Sequence, residues 1–146
     1  TRIMSEELLV RERGSLETII LRLSTVCGLS PRMRFDLMVN TITARAVVDG
    51  SVRILGPSQW RPHIHVQDAA EAFLCAAVDA RPEHAQGSIY NTGGDNENFT
   101  IAEVAAKVTA AVPGVAVEYV DDVDDLRSYW VSFARIREAL GFVPQL

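Results

Sequence analysis

The chain has 146 residues, of which 48% are apolar and 23% charged, and its formal net charge is −5. That is the length of one ordinary domain with room for a real core, and the balance excludes a disordered chain. The negative charge argues against nucleic acid or a membrane surface as the main partner, so an anionic ligand would need a local group of arginines.

In chain order, Ile3, Met4, Leu8 and Leu9 recur near the 3.6 period and predict a helix over residues 3–10. The chain enters that helix without an N-cap or a preceding strand, which reads as the remainder of a longer chain. Arg13-Gly14-Ser15 is a stop signal, because glycine takes the left-handed position at little cost. Thr18-Ile19-Ile20-Leu21-Arg22-Leu23 reads as a buried strand rich in β-branched residues. It runs into a turn-rich stretch, Ser24-Thr25-Val26-Cys27-Gly28-Leu29-Ser30-Pro31. In an open parallel α/β sheet, loops at the C-terminal ends of strands are where ligands bind.

Residues 35–48 predict a helix and residues 52–55 a strand, followed by the Gly56-Pro57 turn. Residues 61–66 predict a short strand, and Asp68 opens an Ala-rich helix to about Val78 as N-cap or first-turn acid. Residues 87–91 predict a strand that leaves into a polar loop over 92–98. Thr100 and Glu103 have capping-box spacing for a helix through Val112, which Pro113-Gly114 stops. Residues 115–120 alternate as a strand, the acidic run 121–125 leads to Arg127, and Ser132 caps a last helix ending at Leu140-Gly141. No internal repeat, low-complexity tract or long linker interrupts this order, so residues 1–146 read as a single unit of mixed α and β elements.

Cys27 and Cys75 lie far apart, without a CxxC or histidine spacing that suggests zinc, and read as reduced thiols. No stretch is apolar enough to span a bilayer and no signal-like segment opens the chain, which makes a cytoplasmic protein the default.

Three separate loops deliver arginines: Arg32 and Arg34, then Arg61, then Arg127. A guanidinium offers a planar fork of donors that matches phosphate, so converging arginines suit a pyrophosphate; singly, each is as well explained by a surface ion pair. Arg61 stands out because Trp60 and Pro62 flank it and His63 and His65 follow. The two histidines share a face on a strand, yet no third ligand at recognisable spacing completes a metal site, and the stronger reading puts at least one in the core. Asp68 is better explained as a cap than as a general base. Ser24 and Thr25 either hydrogen-bond a ligand or satisfy the loop backbone. Asn91 is better read as bracing its loop. Tyr129 and Trp130 form an aromatic wall or ordinary packing. No glycine-rich dinucleotide fingerprint, Gly-x-Ser-x-Gly or Walker loop is present. The residues alone describe a binding unit, with no catalytic group in sight.

A resemblance adds to this. Leu21-Arg22-Leu23-Ser24-Thr25-Val26-Cys27-Gly28 and Ser30-Pro31-Arg32-Met33-Arg34-Phe35-Asp36 resemble the segment that follows the catalytic tyrosine and lysine in extended short-chain dehydrogenases/reductases, the NAD-dependent epimerase/dehydratase family. Arg61-Pro62-His63-Ile64-His65-Val66-Gln67-Asp68-Ala69-Ala70 is similar to that family's arginine-plus-"hVxDxA" segment, and Tyr90-Asn91-Thr92-Gly93-Gly94 to its "YNxG" strand end. Asp125-Leu126-Arg127-Ser128-Tyr129 and Leu140-Gly141-Phe142-Val143-Pro144 match its C-terminal pattern. The motifs fall in family order across nearly the whole chain.

The resemblance implies the C-terminal part of a Rossmann-type doubly wound sheet, with helix and strand to about residue 28, interleaved through residue 146 with the small substrate-binding lobe. It implies substrate contacts from Arg61, Arg127, Thr25 and Arg34, and backbone at Ser24, Thr25 and Val26 facing the nicotinamide of NAD or NADP. The expected ligand is a nucleotide sugar clamped by its diphosphate, and the intact enzyme is expected to be a homodimer that uses the helix over residues 3–10. Two departures stand out: Cys27 replaces a common tyrosine, and Arg2 stands about where the family's lysine would fall. The tyrosine would precede residue 1, so this chain alone is expected to bind no NAD tightly and to turn over nothing. The competing readings are a non-catalytic nucleotide-sugar-binding or interaction module, or an inactive truncated remnant.

Overall fold

A computed structural model describes residues 2–84, 86–121 and 127–146 of the protein. Five α-helices and seven β-strands follow one another among these residues: α1 (Arg2–Glu12), β1 (Thr18–Leu23), β2 (Thr25–Cys27), α2 (Met38–Asp49), β3 (Ser51–Leu55), β4 (Trp60–His65), α3 (Val66–Leu74), β5 (Gln86–Thr92), β6 (Asn98–Thr100), α4 (Ile101–Ala111), β7 (Ala116–Val120) and α5 (Ala134–Leu140). The strands form three small sheets, ordered β1-β5, β2-β4-β6 and β3-β7. All pairs are parallel except β4 with β6. This is the mixed α/β architecture with parallel strands that the sequence led us to expect.

Two apolar clusters organise the packing. In one, Val52 and Ile54 turn inward from β3, whose residues alternate between exposed and buried as a half-covered strand must. They meet Ile42 and Ala46 of α2 and Ile101, Val104, Ala105 and Val108 of α4. In the other, Ile64 of β4 and Tyr90 of β5 pack with Ala69 and Ala72 of α3, Ile136 of α5, Phe133 and Phe142. Ile54, Ile64 and Ile136 are fully buried, and each contributes about 2 kcal/mol through burial of its side chain.

The local signals for α4 hold in full. Thr100 Oγ1 accepts the N–H of Glu103, and the Glu103 carboxylate accepts the N–H of Thr100 at 2.7 Å. Elsewhere the boundaries move. The helix expected over residues 35–48 begins at Met38, because the preceding residues wind into turns whose carbonyls are taken by side chains: Asn40 Nδ2 donates to Arg34 O at 3.0 Å, and Thr41 Oγ1 to Phe35 O. The turn-rich stretch after β1 contains the short strand β2, and the polar loop over 92–98 ends in β6, which starts at Asn98; both gain pairing only from the distant β4.

Asp68 lies in the first turn of α3, but the N-cap is His65, whose Nδ1 accepts the N–H of Gln67 at 3.4 Å. After Leu74 the helix continues as a π-helical turn, Cys75–Asp79. The last helix starts after Phe133 rather than at Ser132, whose Oγ only accepts from Ala134 N at 3.4 Å. The acidic run lies, apart from Asp121, outside the described residues. No residue of α1 is buried, so the apolar stripe of Ile3, Met4, Leu8 and Leu9 faces outward. Among the described residues no helix is long and apolar enough to cross a membrane.

Candidate functional site

A cavity of about 680 Å³ opens where β1, β2 and β5 end. Its floor is fastened by Ser24, whose N–H and hydroxyl both donate to the carbonyl of Thr92, at 3.0 and 2.9 Å. Thr92 is wholly buried. This double bond closes the C-terminal ends of β1 and β5 together, and it occupies the Ser24 hydroxyl. Gly93 follows at once, and only glycine fits: a Cβ there would lie 2.5 Å from Ser24 Oγ and 2.8 Å from the Phe133 ring.

Thr25, Val26 and Cys27 continue the cavity lining along β2. Parallel pairing of β2 with β4 sets Thr25 opposite His63 and Cys27 opposite His65. Gly28 ends the strand with φ +108°, and a Cβ would run into the His65 ring, so β2 and β4 approach more closely than a side chain allows. Burial pushes the Cys27 thiol above its ordinary pKa, and the charge of Glu97 adds to this, so Cys27 is held as a thiol and not as a reactive thiolate. Its Sγ reaches Ile64 O at 3.6 Å.

Arginines gather on one side. Arg2, Arg22, Arg32 and Arg34 all line the cavity. Arg22 is tied to Glu6 of α1 at 2.5 Å, and Arg34 to Asp36 at 2.6 Å. Asn40, buried in α2, holds the Arg34 carbonyl and lines the same space. Tyr129, Val131 and Phe133 line the cavity as a wall, together with Pro62 of β4.

The expected site residues fall in two groups. Ser24, Thr25, Val26 and Arg34 come together in the cavity lining. Arg61 and Arg127 do not line it. Arg61 Nη1 donates to Trp60 O at 2.9 Å and to Arg127 O, its Nη2 to Gln59 Oε1 at 2.8 Å, and its guanidinium stacks 5.4 Å from the Tyr129 ring centre. It therefore binds the segment carrying Arg127 and Tyr129 to β4 at the edge of the cavity. Of the aromatic pair, Tyr129 lines the cavity while Trp130 is exposed. His63 is a core residue, as one histidine was expected to be, but neither ring nitrogen makes a hydrogen bond of good geometry.

Asn91, read from sequence as a loop brace, lines the cavity, and so do Arg22, Asn40, Val131 and Phe133, which spacing did not single out. The one sequence signal among these was Asn40, an amide that shares the buried residues of α2 with Ile42 and Ala46.

The sequence profile of the NAD dependent epimerase/dehydratase family matches residues 1–93. The chain belongs to this family. Solved structures agree in fold. The dTDP-glucose 4,6-dehydratase DesIV of Streptomyces venezuelae, solved with NAD and TYD bound, is 20% identical at TM-score 0.75 over 98% of this chain and 43% of its own. The UDP-glucuronic acid 4-epimerase of Bacillus cereus, solved with UDP-glucuronic acid and NAD, is 20% identical at TM-score 0.78 over 96% of this chain and 45% of its own. MoeE5, solved with UDP-glucuronic acid and NAD, is 27% identical at TM-score 0.68 over 88% of this chain and 42% of its own. The chain thus spans less than half the length of the structures it matches.

Proposed function

We propose that this chain is the substrate-binding, C-terminal portion of an NAD(P)-dependent nucleotide-sugar epimerase or dehydratase, with residues 1–146 acting as one unit. The observation that carries the reading is the cavity itself. A nucleotide sugar needs donors for its diphosphate, hydroxyl partners for its sugar and an apolar face for its rings. Arg32 and Arg34, Thr25, and the wall of Tyr129, Val131 and Phe133 bring these chemistries to one space. That MoeE5 and the Bacillus cereus epimerase were solved with UDP-glucuronic acid supports the same ligand class.

In this reading Arg61 and Arg127 clamp the diphosphate at the rim, where their neighbours Pro62 and Tyr129 already line the cavity. Thr25 and Arg34 contact the substrate. Ser24, Thr25 and Val26 fit a nicotinamide, since all three line the cavity where Ser24 fastens the ends of β1 and β5. NAD or NADP supplies a hydride acceptor when bound. The glycine-rich motif that grips a dinucleotide pyrophosphate is not in this sequence, so the chain alone binds NAD weakly and turns over nothing. The intact enzyme is a cytoplasmic homodimer that engages neither nucleic acid nor membrane.

The test is a calorimetric panel of UDP-glucuronic acid, UDP-glucose and dTDP-glucose against the chain and its Arg61→Ala and Arg127→Ala variants. Binding by the parent that both variants lose supports the clamp. Variants that bind as well as the parent refute it. Saturable micromolar NAD binding would overturn the assignment of the dinucleotide grip to residues outside this chain.

A further inference from the structure

The wall of the cavity is made by alternate residues of a segment that belongs to no helix or strand. Such a segment has no ladder of its own: the N–H of Tyr129 donates to Trp60 O at 3.3 Å, and the peptide groups of Val131 are left to side chains or water. Asn98 meets them. Its Oδ1 accepts the N–H of Val131 at 3.0 Å, and its Nδ2 donates to the carbonyl of Val131 at 3.0 Å. A primary amide offers the same donor and acceptor pair as a peptide group, so Asn98 takes the place of a neighbouring strand residue.

Other bonds converge on the same place. Asn98 Nδ2 also donates to Asp95 O at 3.1 Å. The Asp95 carboxylate accepts the N–H of Phe133 at 2.9 Å and the Arg137 guanidinium at 2.6 Å. Asn98 is 6% exposed and pairs in the β4-β6 ladder with Pro62, a cavity residue. Asn98 therefore joins the wall, through its side chain, to β4, through its backbone, while it lies outside the lining itself.

We propose that Asn98, seconded by Asp95, is a positioning residue: it sets the distance of the Tyr129–Val131–Phe133 wall from Thr25 and so the grip on the sugar nucleotide. This rests on the nucleotide-sugar reading above. Removing the amide leaves the Val131 peptide without its partners and loosens the wall at Val131, while Tyr129 keeps its bond to Trp60 O and Phe133 its place in the apolar cluster.

The experiment compares the parent with Asn98→Ala and Asn98→Asp, each kept below its own melting temperature. Amide hydrogen exchange and calorimetric titration with UDP-glucuronic acid are both measured. Asn98→Ala is expected to speed exchange at Val131 and Phe133 while β1 and β5 keep parental protection, and to weaken binding about tenfold. Asn98→Asp keeps an acceptor for Val131 N–H but turns a carboxylate oxygen toward the carbonyls of Val131 and Asp95, so it should weaken binding at least as much as Asn98→Ala; a smaller loss would count against the amide's role. Parental affinity in Asn98→Ala, or exchange that rises throughout the chain, overturns the proposal. If Asn98→Ala does not fold, Asp95→Asn, which removes the charge that accepts the Phe133 N–H and the Arg137 guanidinium, decides by the same readouts. A parent that binds no UDP-glucuronic acid refutes the nucleotide-sugar reading, whereas a parent that binds with unaffected variants refutes the positioning role alone.

Discussion

Asp68 and Gln145, 77 positions apart, are joined through a carboxylate oxygen that accepts the Gln145 N–H at 2.9 Å. The second oxygen accepts the N–H of Leu146 at 3.1 Å. Asp68 is buried, so it holds the segment after α5 against the first turn of α3. Asp68→Ala should cost about 2–3 kcal/mol, because two charge-assisted bonds are lost and the peptide groups they served are left bare. Urea melts of parent and variant measure this, and an unchanged midpoint would refute it.

His63 makes stability depend on pH. Burial holds its imidazole below the ordinary value of 6.5, partly offset by backbone groups of Glu97 and Arg61. The unfolded chain therefore binds the proton more readily than the folded one, and stability rises with pH in this range. The contribution is complete above about pH 6.5 and is lost as pH falls through the folded pKa. Melts at about pH 7.5 and about pH 5.5 should differ more for the parent than for His63→Leu, which removes the titrating group. Equal differences would show that His63 does not titrate in this way.

Thr100 starts α4, which supplies half of one apolar cluster. Thr100→Ala removes the cap to Glu103 N–H and should destabilise the chain by about 1 kcal/mol. Thr100→Ser, which keeps the hydroxyl, should recover most of that in the same thermal melts.

The outward face of α1 predicts self-association. Ile3 and Met4 are 68% and 69% exposed, and Leu8 and Leu9 are each 52% exposed, so four large apolar side chains of one short helix stand in solvent. Beside it, β1 has no strand on its second edge among the described residues, which leaves backbone groups open to pairing. Sedimentation should find dimers or larger species, and the pair Leu8→Lys, Leu9→Lys should shift them toward monomer. A monomeric parent at the same concentration would count against this.

Gly93 tests the closeness of floor and wall. Gly93→Ala puts a methyl group against Ser24 Oγ and the Phe133 ring, and overpacking of this kind costs about 1–3 kcal/mol. Because both neighbours line the cavity, UDP-glucuronic acid binding should weaken along with stability. A variant with parental melting and binding would show that the floor yields easily.

Much of the architecture was legible before any coordinates. β1, β3, β5, β7 and α4 follow from period, β-branched content and the Thr100/Glu103 pair, which all act within a few residues of chain. The order of motifs around Arg22, Arg61, Asn91 and Arg127 was enough to name the family that the profile match over residues 1–93 bears out. The sequence by itself also marked the strand over residues 87–91 and the polar loop that follows it, because both signals are local.

Only the tertiary structure decided which side chains meet. Arg32 and Arg34 share a cavity with Thr25, while Arg61 stands at its edge against the backbone of Arg127 and the ring of Tyr129. Asn98 finds Val131 across 33 positions and Asp68 finds Gln145 across 77. Neither partnership leaves a period or a spacing, because a hydrogen bond between remote groups is set by how helices and sheets pack and not by what stands next to either residue. β2 and β6 were missed for the same reason: three residues are too few to show alternation, and each is a strand only because β4 lies beside it.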